Sequence, residues 1–185
     1  MYGPREYVGR ETRSMLLDRA TIDGDFVAAA GDRLNQKIDF DRIEEGTREW
    51  FLCIEGLKLC VHTNFGPSHT IPVRAKIDAI LTVGSGATEL GDPLADEMRV
   101  RHVPVRKDDD KNFYIDGDTD GIETGIIVDD VYRTGHNGRI VEGLASERGI
   151  KTIGFVAVFN RSPNTAPELK PGIPVYSVIY KNMER

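Results

Sequence analysis

The sequence lacks any apolar run long enough to span a membrane, and its opening stretch, MYGPREYVGRETRS, is charged rather than apolar. A membrane-spanning helix needs about 20 consecutive apolar residues. A secretory leader needs an apolar segment behind its basic start. We therefore expect a soluble, intracellular protein, located in the cytoplasm and without a signal peptide.

Cysteine is scarce: the chain has only Cys53 and Cys60, and neither belongs to a CxxC pair. Both fall in a segment with helical periodicity, and their spacing of seven would place them on one face of that helix. Without a CxxC pair or a secretory context, a disulfide or a metal site is disfavoured. We expect two buried thiols.

Positive charge is not in excess, since 24 lysines and arginines face 30 aspartates and glutamates, for a net charge of -6. A protein that binds nucleic acid or a membrane surface would show a basic stripe. We therefore expect neither of these partners. A local basic pocket for an anionic small molecule remains compatible with this composition.

The second half of the chain alternates apolar strands with short helices. The predicted strands are DAILTVG, RHVPVRK, GIIVDDV, TIGFVAVF and IPVYSVIY, and the predicted helices are LGDPLADEMR and NGRIVEGLASERG, with Gly149 as the C-terminal cap of the latter. This alternation predicts an α/β fold, a Rossmann-like parallel sheet flanked by helices on both faces. In such sheets ligands bind beyond the carboxyl ends of the strands.

The first half has a different pattern. We predict an amphipathic helix over about residues 5–20, then an extended segment broken by a turn at Gly31 and Asp32. The segment TREWFLCIEGLKLCVHTNF has apolar residues at helical spacing, and the following GPSHTIP is a loop. The chain length of 185 residues suits a single domain, 1–185.

The stretch GIIVDDVYRTGHNG, residues 125–138, places Asp129 and Asp130 at the carboxyl end of a predicted central strand. Adjacent carboxylates repel each other and are costly to bury, so hydroxyl donors or a cation should meet them. The polar turn that follows leads into a helix, whose N-terminal amides and dipole favour a phosphate. Together these features predict a site for a sugar phosphate, with the carboxylates on ribose hydroxyls or a hydrated Mg²⁺.

Two other interpretations of this stretch exist. It could be a surface turn with Asn137 as a helix N-cap and two solvated aspartates. A Walker B strand also ends in acidic residues, but it requires a GxxxxGK[ST] loop, which the sequence does not contain.

The segment IIVDDVYRTGHN resembles the phosphoribosyl-diphosphate (PRPP) motif of type I phosphoribosyltransferases: an apolar strand, two acids and a Thr-Gly phosphate loop. The resemblance implies the fold of that family, transfer of ribose 5-phosphate from PRPP to a nitrogenous base, Mg²⁺ as cofactor, and a homodimer. Asp129 and Asp130 would be catalytic and would orient the ribose and its metal. The PRPP-binding residues implied in the turn are Arg133, Thr134, Gly135, His136 and Asn137. Three of them depart from the small or hydroxyl residues usual in the family: Arg133, His136 and Asn137.

Other segments resemble orotate phosphoribosyltransferases, in the same order along the chain. FVAVFNRSPN resembles a strand that ends in Asp-Arg, and the resemblance implies that Arg161 binds the base. DFVAAAGDRLNQKIDFD resembles the segment that forms a hood over the base, with Lys37 as a base-binding candidate. A surface arginine and an exposed strand lysine are the simpler alternatives for these two residues.

The PRPP-contacting segments of the family have counterparts as well. DAILTVGSGATELGDPLADEM resembles the strand, diphosphate loop and helix, with a loop over 84–88 and PRPP contacts at Gly84, Ser85 and Gly86. VPVRKDDDKNFYIDG resembles the segment that leads into a mobile catalytic loop. It implies diphosphate contacts for Arg106 and Lys107 and catalytic roles for Lys107 and Lys111.

The catalytic loop is where the sequence departs most from the family. The segment DDDKNFYIDGDTDG, residues 108–121, is predicted to be a polar, acidic loop. No histidine follows Lys111, three aspartates stand at 108–110, and Lys111 could be an ordinary solvated lysine. Three hypotheses follow: an orotate phosphoribosyltransferase, a transferase for another base, or a non-catalytic PRPP-binding regulator. In each, the resemblance implies an N-terminal helix and hood over about 1–65 and an α/β core over about 76–185.

Overall fold

The computed structural model describes residues 7–27, 33–66, 76–164 and 166–181. The predicted turn at Gly31 and Asp32 and nearly all of the predicted loop GPSHTIP lie outside the described residues.

The secondary structure follows the predicted order. The helices are α1 (Arg10–Ala20), α2 (Arg48–Phe65), α3 (Ser85–Met98) and α4 (His136–Glu147), with a 3-10 turn at Phe40–Arg42. The strands are β1 (Thr21–Val27), β2 (Arg33–Ile38), β3 (Ala79–Val83), β4 (Arg101–Lys107), β5 (Phe113–Ile115), β6 (Thr124–Tyr132), β7 (Lys151–Asn160), β8 (Glu168–Lys170) and β9 (Ile173–Tyr180).

The main sheet has the strand order β5-β4-β3-β6-β7-β9-β8. Its five inner strands pair in parallel, which confirms the predicted parallel sheet. The edge strands β5 and β8 pair antiparallel with their neighbours. With β6 at the centre of the order, the tip of that strand lies in the middle of the sheet's carboxyl edge.

Helices cover both faces of this sheet. Ile126 points to the face packed by α1, α2 and α3, where it shares a core with Leu57 and Leu90. The next residue, Ile127, points to the opposite face and shares a core with Val141 of α4. Strand residues alternate between faces, so burial on both sides requires a continuous apolar run, as β6 has over residues 125–128.

The N-terminal segment packs on this core and adds a separate sheet. β1 and β2 form an antiparallel pair, with Thr21 opposite Ile38, that fits the small hood expected from the family. In α2, Cys53 and Cys60 are both buried and free, which confirms the prediction of two buried thiols. Burial raises the pKa of each thiol to about 12, so neither is a reactive thiolate at neutral pH. None of the described helices is both long and apolar enough to cross a membrane.

Two local predictions are wrong. The predicted loop over 84–88 is almost entirely helical, because α3 already begins at Ser85 and Thr88 Oγ1 donates to the Gly84 carbonyl at 2.7 Å. Only Gly84, with φ of 85°, remains outside as the N-cap. The predicted acidic loop over 108–121 contains the short strand β5, which pairs with β4.

Candidate active site at the carboxyl edge of the sheet

Asp129 and Asp130 lie near the carboxyl end of β6, where the sequence places them. Asp129 is only 6% exposed, and its Oδ1 accepts a hydrogen bond from the Asp130 amide at 2.9 Å. Asp130 Oδ1 accepts from the Val131 amide at 2.7 Å. Burial, and then the charge of Asp130, raise the pKa of Asp129 well above its ordinary value. A ligand that brings a cation or hydroxyl donors would stabilise the ionised form of this carboxyl.

The turn after β6, residues 133–138, is called the phosphate turn below. It ends β6 and begins α4, with Gly135 as the N-cap at φ of 72°, a left-handed conformation that favours glycine. A cavity of about 610 Å³ opens beside it. Residues on its walls include Asp129, Arg133, Thr134, His136, Asn137 and Arg139. The structure thus brings Asp129 and the predicted turn residues to one cavity.

Arg139 is a wall residue that the sequence analysis missed. Its Nη1 donates to the Thr134 carbonyl at 2.9 Å, so the guanidinium folds back over the phosphate turn. Arg139 lies four residues after Gly135 in the first turn of α4, a spacing that places the two on one side of the helix. That spacing could have identified Arg139 from the sequence as a residue beside the turn.

A second cavity of about 500 Å³ lies on the other side of Asn137, which lines both. Its wall includes Gly84 at the start of α3 and the cations Arg106 and Lys107 at the end of β4. The Lys107 ammonium stands 4.6 Å from the centre of the Phe113 ring, a cation–π contact. This cavity combines a helix N-terminus with two cations, which suits an anion.

The N-terminus of α3 also approaches the tip of β6. A Cβ atom added at Gly86 would lie 3.0 Å from Asp130 Oδ2, so glycine allows this close approach. The predicted diphosphate segment and the acidic pair are therefore neighbours. The side chain of Ser85 lies outside the described part of the chain.

The segment from 106 to 116, called the β4–β5 hairpin below, is closed by its own contacts. Arg106 Nε forms an ion pair with Asp116 across the hairpin. Lys111 adopts a φ of 66° in the turn, and its amide donates to the Asp108 carbonyl at 3.0 Å. Lys111 is exposed, and other described residues line the two cavities, so the structure does not bring Lys111 to the candidate site.

The two predicted base-binding residues lie near the hood. Arg161 is half-buried and its Nη2 donates to the Gln36 carbonyl at 3.3 Å. Burial, and then the charge of Arg133, lower the pKa of Arg161. Lys37 pairs with Asp39 Oδ2 at 2.8 Å and stands 5.6 Å from the Phe26 ring centre, so its ammonium is engaged within the N-terminal segment.

Lys181 is a second residue that the sequence analysis missed. It follows β9 directly, and its Nζ donates to Gln36 Oε1 at 3.1 Å. The sequence signal was available, because chemistry in such a sheet is expected just after each strand and Lys181 is the residue after IPVYSVIY.

The carboxylates Asp129 and Asp130 are hard oxygen ligands of the type that Mg²⁺ prefers. Across the described residues, no three His, Cys, Asp or Glu side chains come together in a metal-binding cluster. The protein could therefore contribute this pair, directly or through water, while a bound diphosphate and ribose supply other oxygens. The residues fit a metal that arrives with its ligand.

Comparison with known proteins places this architecture. No protein-family model matches the sequence, and no curated protein matches it. Among solved structures, the chain resembles orotate phosphoribosyltransferase from Aeropyrum pernix, with a TM-score of 0.75 and 21% identity over 91% of this chain and 92% of that one. It also resembles a phosphoribosyltransferase from Corynebacterium diphtheriae, with a TM-score of 0.71 and 17% identity over 92% of this chain and 94% of that one.

A third similar structure is adenine phosphoribosyltransferase from Thermoanaerobacter pseudethanolicus, with a TM-score of 0.67 and 19% identity over 92% of this chain and 99% of that one. The similarities cover nearly the whole chain, and they include enzymes named for different bases. The chain therefore has the type I phosphoribosyltransferase fold, as the resemblance of its sequence predicted.

Proposed function

We propose that the protein is a phosphoribosyltransferase that moves ribose 5-phosphate from PRPP to a ring nitrogen of a base and releases diphosphate. The observation that carries this proposal is the pair of neighbouring cavities that share Asn137. One joins Asp129 to the phosphate turn, and the other joins Gly84 to Arg106 and Lys107. This arrangement supports binding of one PRPP molecule, with acids for the ribose, amides for the 5-phosphate and cations for the diphosphate.

In this reaction the base nitrogen forms a bond to C1 of the ribose, and the C1–O bond to diphosphate breaks. Positive charge develops on the sugar, so catalysis consists mainly of positioning and charge stabilisation. Asp129 and Asp130 accept hydrogen bonds from the ribose hydroxyls, and the phosphate turn holds the 5-phosphate. Arg106 and Lys107 neutralise the departing diphosphate. When bound, Mg²⁺ would be held through Asp129 and Asp130 and would supply further positive charge to stabilise the departing diphosphate.

Orotate is the base we propose as acceptor. The half-buried Arg161 lies beside the hood, and a guanidinium binds a carboxylate through two parallel hydrogen bonds. A transferase for another base is the alternative within the same reaction class. We further propose a cytoplasmic homodimer with a hood over about 1–65 and an α/β core over about 76–185.

A PRPP-binding regulator without catalysis is the second candidate function. The β4–β5 hairpin favours it, because Arg106 is held by Asp116 and the exposed Lys111 lies at the hairpin turn. A transferase needs cations at the leaving group. Here Arg106 is paired with Asp116, and Lys111 is not among the residues that line the two cavities. In the regulator, the phosphate turn and the acidic pair would bind PRPP without turnover.

Incubating the protein with PRPP, Mg²⁺ and a panel of bases, and measuring diphosphate release, tests the proposal. Release with orotate supports the orotate transferase, and release with another base alone supports the alternative acceptor. PRPP binding in calorimetry without release supports the regulator. If the protein neither binds PRPP nor releases diphosphate, all three hypotheses are ruled out.

The acidic pair provides the matching mutational test. Replacing Asp129 and Asp130 together by Asn should weaken PRPP binding and turnover by about 100-fold or more, because both ribose-orienting charges disappear. The control replaces Asp109 and Asp110, an adjacent acidic pair in the exposed hairpin turn, by Asn. It should change PRPP affinity by no more than about threefold. Equal effects of the two double variants would contradict the assignment.

A further inference from the structure

Three neighbouring strands of the main sheet end in the same way. Tyr132 of β6 is registered with Asn160 of β7, and Asn160 is registered with Tyr180 of β9. The next residues are Arg133, Arg161 and Lys181. We call these three the cation row.

The backbone ladder continues into the cation row. The Arg161 amide donates to the Tyr132 carbonyl at 2.8 Å, and the Lys181 amide donates to the Asn160 carbonyl at 2.9 Å. Adjacent strands lie about 4.8 Å apart, so the three cationic residues start from positions within about 10 Å of one another. The row begins at the phosphate-turn cavity, which Arg133 lines, and runs toward the hood.

One residue of the hood strand β2 meets two members of the row. The Gln36 carbonyl accepts from Arg161 Nη2 at 3.3 Å, and Gln36 Oε1 accepts from Lys181 Nζ at 3.1 Å. Both acceptors are neutral oxygens. Among the described carboxylates, none forms an ion pair with Arg161 or Lys181, and the buried Arg161 Nε has no hydrogen-bond partner in the described part of the chain.

Arg161 and Lys181 therefore contact Gln36 only through neutral oxygens at this end of the sheet. Burial is the main cause that lowers the pKa of Lys181; the charge of Asp23 opposes it, Arg13 and Arg161 lower the pKa further, and Asp18 raises it. Asp23, an acid of β1, accepts a hydrogen bond from Gln36 Nε2 at 2.7 Å. A ligand oxygen that carries charge would make stronger hydrogen bonds to these cations than the neutral oxygens of Gln36 do.

We propose that Lys181 determines acceptor specificity together with Arg161, by selecting bases that carry an anionic substituent such as a carboxylate. The inference rests on the proposed transferase function and deepens it by assigning Lys181 as a second specificity-determining residue for the acceptor. The anionic substituent lies between the ends of β7 and β9, while the 5-phosphate lies at the end of β6. A base without such a substituent leaves two half-buried cations with neutral partners only.

The test compares two nucleotides that differ in one carboxylate, orotidine 5′-monophosphate and uridine 5′-monophosphate, by titration calorimetry. PRPP with Mg²⁺ is titrated in parallel as a measure of the proposed function. The variants are Lys181→Met, Lys181→Arg and a control, Lys151→Met, at the opposite end of β7. Thermal melting of each variant shows that it is folded.

The wild-type protein should bind the orotidine nucleotide about tenfold or more tightly than the uridine nucleotide, as one charge-assisted contact allows. Lys181→Met should remove about tenfold of the affinity for the orotidine nucleotide and leave that for the uridine nucleotide within about twofold. Lys181→Arg should retain the preference, and Lys151→Met should match the wild type. If Lys181 had only a structural role, Lys181→Met would lower the affinity for both nucleotides equally.

The two possible failures are distinguishable. If PRPP binds but the wild type shows no preference for the orotidine nucleotide, or Lys181→Met leaves the preference intact, the specificity role is wrong and the transferase proposal stands. If neither PRPP nor either nucleotide binds to the folded wild-type protein, the proposed function fails, and the specificity role fails with it.

Discussion

The phosphate turn and the β4–β5 hairpin both follow inner strands of one parallel sheet, yet they treat their polar groups differently. The phosphate turn leaves the N-terminus of α4 and the buried Asp129 facing a cavity. The hairpin satisfies its own groups: Arg106 pairs with Asp116, and the Asn112 amide donates to Asp108 Oδ1 at 2.7 Å. The first region is organised to receive a ligand, and the second must give up internal contacts before it can bind one.

This difference follows from how each segment leaves its strand. After β6 the chain enters a helix, whose first amides have no partner within the helix and point outward. After β4 the chain turns back and pairs with itself as β5, so its amides are used in the ladder. A helix start therefore offers donors to an anion at no cost, whereas a hairpin offers mainly side chains.

The largest effect on stability and PRPP affinity should come from a substitution at Gly135, in the phosphate turn. A Cβ atom there would lie 3.0 Å from both Leu169 Cδ1 and Tyr132 Cε2, in a backbone with φ of 72°. We expect Gly135→Ala to lower the free energy of unfolding by about 2 kcal/mol through strain and crowding. It should also weaken PRPP binding by about tenfold or more, because the turn amides move.

The matched control is Gly149→Ala, at a φ of 75° with open space around the added methyl group. It should cost about 1 kcal/mol of backbone strain and leave PRPP affinity unchanged. Urea unfolding and calorimetric titration measure both quantities. A Gly135→Ala variant that behaves like the Gly149→Ala variant would show that the turn is not fitted to its surroundings.

A smaller effect concerns Asp129, the buried acid at the entrance to the turn. The pKa of Asp129 is higher in the folded protein than in the unfolded protein. The contribution of this carboxyl to stability is therefore fully present below the unfolded pKa, and it is lost as the pH rises through the folded pKa. We expect Asp129→Asn to remove this loss and to stabilise the ligand-free protein by about 1 kcal/mol above that folded pKa. Urea unfolding over a range of pH measures the effect.

Asp96→Asn, on the exposed side of α3, is the control and should follow the wild-type pH profile within about 0.5 kcal/mol. Affinity for PRPP should rise with pH in the wild type, since binding to the carboxylate favours loss of its proton. A stability profile of Asp129→Asn that overlays the wild type would mean that the acid carries no penalty when the site is empty.

The smallest effect should come from opening the hairpin. Asp116→Asn removes the partner that holds Arg106, and the guanidinium then becomes available to diphosphate. Since both side chains are about half exposed, the pair is worth under about 1 kcal/mol, and we expect diphosphate affinity to rise about threefold. Asp109→Asn removes the same charge from the exposed hairpin turn and should raise affinity less. Equal gains would point to a general charge effect rather than release of Arg106.

The inner strands were predictable because burial on both faces requires continuous apolar runs. The run IPVYSVIY coincides with β9, and GIIVDDV lies within β6, which extends one residue further at each end. The three-residue edge strands β5 and β8 were not predictable, because their pairing depends on a neighbouring strand rather than on any pattern of their own. The early start of α3 was missed because Ser85 and Gly86 are typical of loops.

The candidate site likewise contains residues whose proximity the sequence predicts and one whose position it does not. Asp129, Asp130 and the phosphate turn are contiguous in sequence, so their proximity could be predicted from the chain alone. Lys111 was expected near the leaving group, but the compact hairpin keeps it exposed at the turn. Whether these residues carry the proposed roles stays a prediction that the experiments above address.

By itself, the sequence determined the alternation of strands and helices, the burial of Cys53 and Cys60 and the acidic pair at a strand tip, because these depend on local pattern and hydrophobicity. Only the tertiary structure decided that Arg106 is paired with Asp116 and that Arg133, Arg161 and Lys181 end three registered strands side by side. Residues 133, 161 and 181 are distant along the chain. Their meeting depends on strand order and register, which arise from packing of the whole sheet.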